Sequence, residues 1–146
     1  IKIVTVAFCW TMVIVILPFF EMMDSYNMFY YSLLIFCLVT AQMIPFEIRD
    51  KHKDMYNVKT IVHIYGTNNY KFIGYFILMI ALTPSILTYY FSVDIVLKNS
   101  TALIILVAGV LIYLSSEKQN KYYSSFTVES IPMMWLLIEF SLQVFF

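Results

Sequence analysis

The sequence has little charge, little glycine and little cysteine. Charged residues make up 12% of the 146 positions, against roughly 25% in an ordinary soluble domain. Nine basic and nine acidic residues cancel. No basic face is left to neutralise phosphates, which excludes a nucleic-acid binder. A hydrophobic content of 62% excludes a disordered chain. Three glycines give no material for a glycine-rich phosphate cradle. The two cysteines, Cys9 and Cys37, stand in apolar runs without metal-type spacing and read as small hydrophobes. Nucleophilic triads and haem motifs are also missing. The chain opens Ile1-Lys2 and enters an apolar run at once, without the charged region and small-residue cleavage site of a signal peptide. The expectation is that the natural start lies upstream.

What is present is apolar and aromatic. Aromatic residues reach 18%, and the mean hydropathy is +0.82. A bilayer core of about 30 Å needs about 20 apolar residues per helix, and the runs at 3–20, 28–46, 72–93, 101–114 and 123–146 approach that length. They are continuous rather than alternating, which favours helices over the strands of a membrane barrel. The expected fold is therefore an all-α, polytopic transmembrane bundle of about five spans in one domain. The first two spans form a hairpin across the acidic connection 21–27, and Lys98-Asn99-Ser100 reads as a turn before the fourth.

Basic residues set the expected orientation. Lys2, Arg49, Lys51, Lys53, Lys59, Lys71, Lys118 and Lys121 fall on one side of such a bundle, and Lys98 alone on the other. The connection 47–71 is thus expected on the cytoplasmic side, with Asp24 and Asp94 outside. Asn99-Ser100-Thr101 fits a glycosylation sequon on the outer side.

Three of the nine acids, Glu47, Asp50 and Asp54, follow the second span directly. Spaced by three and four residues, they share one face of a helix. Aligned carboxylates repel one another without a cation. Hard oxygen ligands at a membrane surface suit Mg²⁺, which keeps several waters and bridges to substrate phosphates. The alternative is an interfacial anchor in which charges of both signs end the span.

The run Phe46-Glu47-Ile48-Arg49-Asp50-Lys51-His52-Lys53-Asp54, with Lys59-Thr60 and Tyr65-Gly66 behind it, resembles the second aspartate motif of the UbiA-type intramembrane prenyltransferases. That motif usually reads Asp-x-x-Asp-x-x-x-Asp, then a Gly/Lys/Thr stretch and a glycine. Val6-Ala7-Phe8-Cys9-Trp10 through Leu17-Pro18 is similar to the preceding span in bacterial members. The resemblance covers the whole chain as the second half of a nine-helix fold, its spans being helices five to nine. It implies Asp50 and Asp54 as metal and diphosphate ligands, Glu47 in the place of the first aspartate, and Lys59 on a diphosphate oxygen. It further implies Mg²⁺, a polyprenyl diphosphate donor, a lipid-soluble aromatic or quinone-precursor acceptor, and the bacterial inner membrane. The family's other motif, Asn-Asp-x-x-Asp, does not occur in these residues. It would belong to a missing amino-terminal half, without which the segment is expected to be inactive. The glycine usual before the Lys-Thr pair is replaced near Asn57, with the spacing one residue shorter. Arg49 matches the family's arginine and is assigned only anchoring or pairing with a carboxylate.

Two other readings belong to different classes. In one, the chain is a non-catalytic membrane protein and the acidic turn only an anchor or docking surface. In the other it is a transporter, motivated by Glu129, Glu139 and the mid-span Pro84 and Pro132, though no internal repeat supports it. Glu129 lies near the cytoplasmic end of the last span, within reach of water. Glu139 lies deeper, where a carboxylate is costly and a bundle-facing hydrogen bond or a proton is expected. His52 and His63 read as interfacial hydrogen-bonding groups, and the tyrosines near span ends as an aromatic belt.

Overall fold

In the computed structural model, residues 2–51, 61–87, 95–120 and 122–145 are described. Six helices run through them: α1 (Lys2–Thr11), α2 (Leu17–Phe19), α3 (Ser25–Asp50), α4 (Ile61–Leu87), α5 (Ile95–Leu114) and α6 (Ile131–Phe145). A π-helical turn, Met12–Ile16, joins α1 to α2, and a second, Tyr123–Val128, precedes α6. Among the described residues there is no strand, and the all-α expectation holds. Two helical runs, Lys2–Phe19 and Ser25–Asp50, are long and apolar enough to cross a membrane.

α3 is the centre. It packs against α1, α4 and α5, and it presents Leu34, Cys37, Leu38, Ala41, Ile44 and Ile48 to them, a stripe of three- and four-residue steps. Facing this stripe are Val62, Leu78 and Ala81 of α4, Ile104, Ala108 and Ile112 of α5, and Ile131 of α6. From the other side α1 offers Ile3, Ala7 and Thr11, one per turn. Thr11 returns its hydroxyl to the Ala7 carbonyl at 2.8 Å, just before the π turn.

Glycine gives the closest approach where three helices meet. A Cβ on Gly74 of α4 would lie 2.6 Å from Ile44 Cδ1 and 3.0 Å from Ile112 Cδ1, so any side chain there makes these isoleucine ends shift. Gly66 serves differently. Its φ of 79° and ψ of 162° fall in a region that is essentially closed to other residues, and they break α4 into a short leading turn and a long helix resuming at Thr67.

Four details depart from the sequence reading. The connection 47–71 is helical up to Asp50 and again from Ile61. Lys98-Asn99-Ser100 is not a turn, since α5 already begins at Ile95. The sequon therefore lies inside a helix, with Ser100 and Thr101 buried and Ser100 Oγ accepting from Trp135 Nε1 at 3.2 Å. The last apolar run is no single helix: the π turn and residues 129–130 separate its beginning from α6.

Candidate functional site at the polar end of the bundle

The carboxy-terminal turn of α3, the leading part of α4, the end of α5 and the second π turn meet at one end of the bundle. Polar side chains gather there because helix ends leave carbonyls without intrahelical partners. α5 illustrates this. The Leu111 carbonyl accepts from Tyr123 Oη at 2.6 Å, the Ile112 carbonyl from Ser115 Oγ at 2.6 Å, and the Tyr113 carbonyl from Lys71 Nζ at 2.8 Å. A cation on the last carbonyls also suits the negative end of the helix dipole. Gln119 Nε2 ties the same segment to α3 by donating 2.6 Å to the carbonyl of Pro45.

Glu47 and Asp50 stand one turn apart at the end of α3, both half-buried. Each carboxylate has its own donor. Tyr70 Oη donates to Glu47 Oε2 at 2.6 Å from a phenol that is only 3% exposed. Burial first, then the bond to Glu47, pushes the Tyr70 hydroxyl well above the usual tyrosine range, so it stays a donor at every physiological pH. Tyr70 precedes the apolar run that begins at residue 72.

Arg49, the one arginine of the sequence, holds Asp50. Its Nε donates to Oδ1 at 2.8 Å and its Nη2 to Oδ2 at 3.0 Å, the paired fork geometry that fixes a carboxylate in plane. The remaining Nη1 donates to the buried Ser124 Oγ at 2.6 Å and to Ser125 Oγ at 3.4 Å. The guanidinium carbon lies 5.3 Å from the centre of the Phe46 ring, within cation–π range. Beside this lies a second ion pair, Lys51 Nζ to Glu117 Oε1 at 2.6 Å. Thr67, the first residue after the Gly66 break, donates its hydroxyl to the same Glu117 oxygen and accepts from Lys51 at 3.3 Å.

Of the sequence-derived site residues, Glu47 and Asp50 are brought together, whereas Asp54 and Lys59 lie outside the described residues, as does His52. Glu129 is exposed near this end and Glu139 half-buried far from it. Tyr70, Glu117, Gln119, Ser124 and Ser125 escaped the sequence reading. They come from the starts and ends of other helices, and no local spacing connects them to residue 47. Among the described residues, no group of three or more histidine, cysteine, aspartate or glutamate side chains gathers around one point.

Glu47 and Asp50 are hard oxygen donors of the kind Mg²⁺ takes. A carboxylate oxygen accepts in two directions, and Glu47 Oε2 takes one bond from Tyr70. One or two carboxylates plus substrate phosphates is the usual protein share of a magnesium site. Hydrogen bonds of the kind made by Tyr70 and Arg49 hold a carboxylate in one orientation. In comparisons with known proteins, no family model, no curated protein and no solved structure matches the chain.

Proposed function

We propose that the chain is an integral membrane protein carrying one half of a UbiA-like prenyl-transfer site, with Glu47, Asp50 and Asp54 as ligands for Mg²⁺ and the diphosphate of a polyprenyl donor. Supporting the membrane reading are small residues at helix crossings and large apolar side chains on the outer surface. Ala7, Ala41 and Ala81 are fully buried between helices, with Gly74 at the tightest crossing, as in membrane bundles, where small residues let backbones approach. Phe8, Leu17, Phe72, Phe76, Leu136 and Phe140 are exposed, far more apolar surface than a soluble monomer leaves to water.

The observation that carries the site is the pair of carboxylates one turn apart at the end of the central helix, each held by a dedicated donor. Bound Mg²⁺ would supply charge neutralisation for a departing diphosphate. The chain's own residues do the positioning: Tyr70 fixes Glu47, Arg49 fixes Asp50, and Ser124 fixes Arg49. Lys59 adds a point charge for a phosphate oxygen. The acceptor is a lipid-soluble aromatic or quinone precursor entering from the bilayer, and the polar end faces the cytoplasm of a bacterial cell, following the lysine count.

One observation favours a second reading. Arg49 already engages both oxygens of Asp50, as expected of a non-catalytic relative whose polar end serves only as an interfacial anchor. One experiment separates the two: binding of a polyprenyl diphosphate to the full-length protein in detergent, with and without Mg²⁺, in wild type and in Asp50→Asn/Asp54→Asn. Magnesium-dependent binding that the double substitution removes is the expected result. Binding that is absent, or indifferent to metal and substitution, overturns the site and leaves the anchor.

A further inference from the structure

A cavity of about 400 Å³ opens at the other end of the bundle, where the first π turn and α2 face α3 and α6. Its walls are apolar, formed by Val15, Phe19, Trp135 and Leu136, and two residues with polar ends, Glu139 and Tyr31, also line it. Sixteen residues of α3 separate Tyr31 from Glu47, about 24 Å at the helical rise, so the cavity is distinct from the magnesium site proposed above.

Glu139 is the only charged residue of α6. A carboxylate at such a position costs about 2.5–3.5 kcal/mol on insertion scales and is normally matched by a partner. Among the described residues, neither Glu139 nor Tyr31 has a hydrogen-bond or ion-pair partner in the protein. The Trp135 N–H is turned away to Ser100 Oγ, which leaves the indole as an apolar and π surface. The cavity thus offers one carboxyl group, one hydroxyl, aromatic rings from Phe19, Tyr31 and Trp135, and room for an alkyl chain. Carboxylate plus aromatic faces is the recognition set for an ammonium group, and a volume in this range accommodates a small amphiphile.

We propose that this cavity binds a cationic amphiphile, an ammonium group on an apolar chain, with the charge on Glu139 and Tyr31 and the chain along Val15, Phe19 and Leu136. The complementary sign follows from the single carboxylate, and the chain from the walls. Anionic amphiphiles are repelled by Glu139, and uncharged ones leave it unpaired.

The test uses the protein in maltoside micelles on a Trp10→Phe background, so that Trp135 is the only tryptophan. Dodecylammonium chloride is titrated against its fluorescence, with dodecanol and dodecyl sulfate as comparison probes. A saturable change with dodecylammonium is expected, weakened about tenfold or more by Glu139→Gln and weakened also by Leu136→Phe, which enlarges a wall residue without adding a tryptophan. Dodecanol binding as tightly as dodecylammonium, no saturable change, or an affinity indifferent to Glu139→Gln overturns the proposal. Helicity by circular dichroism accompanies each variant. Should Glu139→Gln fail to fold, Tyr31→Phe decides: a fall in ammonium affinity supports the site and an unchanged affinity overturns it. None of these readouts involves Mg²⁺ or a diphosphate, so the outcome is independent of the function proposed for the polar end.

Discussion

Tyr70 of α4 donates its phenolic hydrogen to Glu47 of α3 across 2.6 Å, joining the two helices at the point where their polar ends meet. The bond is almost wholly buried on the tyrosine side, and its acceptor is a carboxylate. Hydrogen bonds to charged groups are worth about 1.5–3 kcal/mol. Tyr70→Phe, which preserves the ring, should destabilise the protein by that amount, measured by denaturant titration in mixed micelles, and should leave the helical content unchanged.

Alkaline pH provides a second handle on the same bond. The folded-state pKa of Tyr70 is raised by burial and by Glu47, above an unfolded value of about 10. Its contribution is therefore fully present below about pH 10 and is lost as pH rises from there towards the folded value. Wild-type stability should fall above about pH 10, and Tyr70→Phe should show a smaller fall over the same range. Equal slopes for the two proteins would remove Tyr70 as the cause.

Gly66 should resist substitution for reasons of backbone alone. Nothing lies within 4 Å of a Cβ built there, so Gly66→Ala meets no clash. It does force an L-residue to φ 79°, ψ 162°, at about 1–3 kcal/mol. The measured loss should be the same whether alanine or serine is introduced, since side-chain size plays no part.

At Gly74 the opposite holds. Gly74→Ala brings a Cβ to 2.6 Å from Ile44 Cδ1, and overpacking of this kind costs about 1–3 kcal/mol, against about 1 kcal/mol gained from better helix propensity. Ile44→Val removes the offending methyl. The double variant Ile44→Val/Gly74→Ala should be more stable than Gly74→Ala alone. A double-mutant cycle should give a favourable coupling of about 0.5–3 kcal/mol. Additive effects would mean that the two residues do not meet.

Arg49→Lys should be no conservative change. A lysine cannot make the two-point contact to Asp50 and reach Ser124 at the same time. In a cycle with Ser124→Ala, the serine substitution should cost about 1 kcal/mol more with Arg49 present than once lysine replaces it.

Much of the fold is legible in the sequence because it rests on local repetition. The steps through Leu34, Leu38, Ala41, Ile44 and Ile48 mark the buried stripe of α3, and the three-residue gap from Glu47 to Asp50 puts both acids on one side of its last turn. Less legible is whatever depends on chain ends meeting in space. Adjacent residues on a helix do not ordinarily face each other, so spacing alone does not pick Asp50 as the carboxylate that Arg49 pairs with. Their pairing follows once Ser124 and Phe46 hold the long guanidinium arm back over the helix end. Likewise, Glu117 sits in a short connection of mixed polarity, and only its arrival beside Lys51 and Thr67 reveals it as part of the polar end. The broken last run was hidden for a different reason: the π turn Tyr123–Val128 has no charge, glycine or proline to mark it.

The direction of α3 has a consequence for this end of the bundle. Aligned peptide dipoles give a helix of 26 residues about half a negative charge at its carboxy-terminus, and Glu47 and Asp50 add their own charges at that same pole. Two carboxylates on a negative pole are in the least favourable place that a helix offers them. Arg49 and Lys51, interleaved with the acids, relieve part of this excess. The pole remains an electrostatic sink, a place where any arriving cation lowers the energy of the backbone as well as of the side chains.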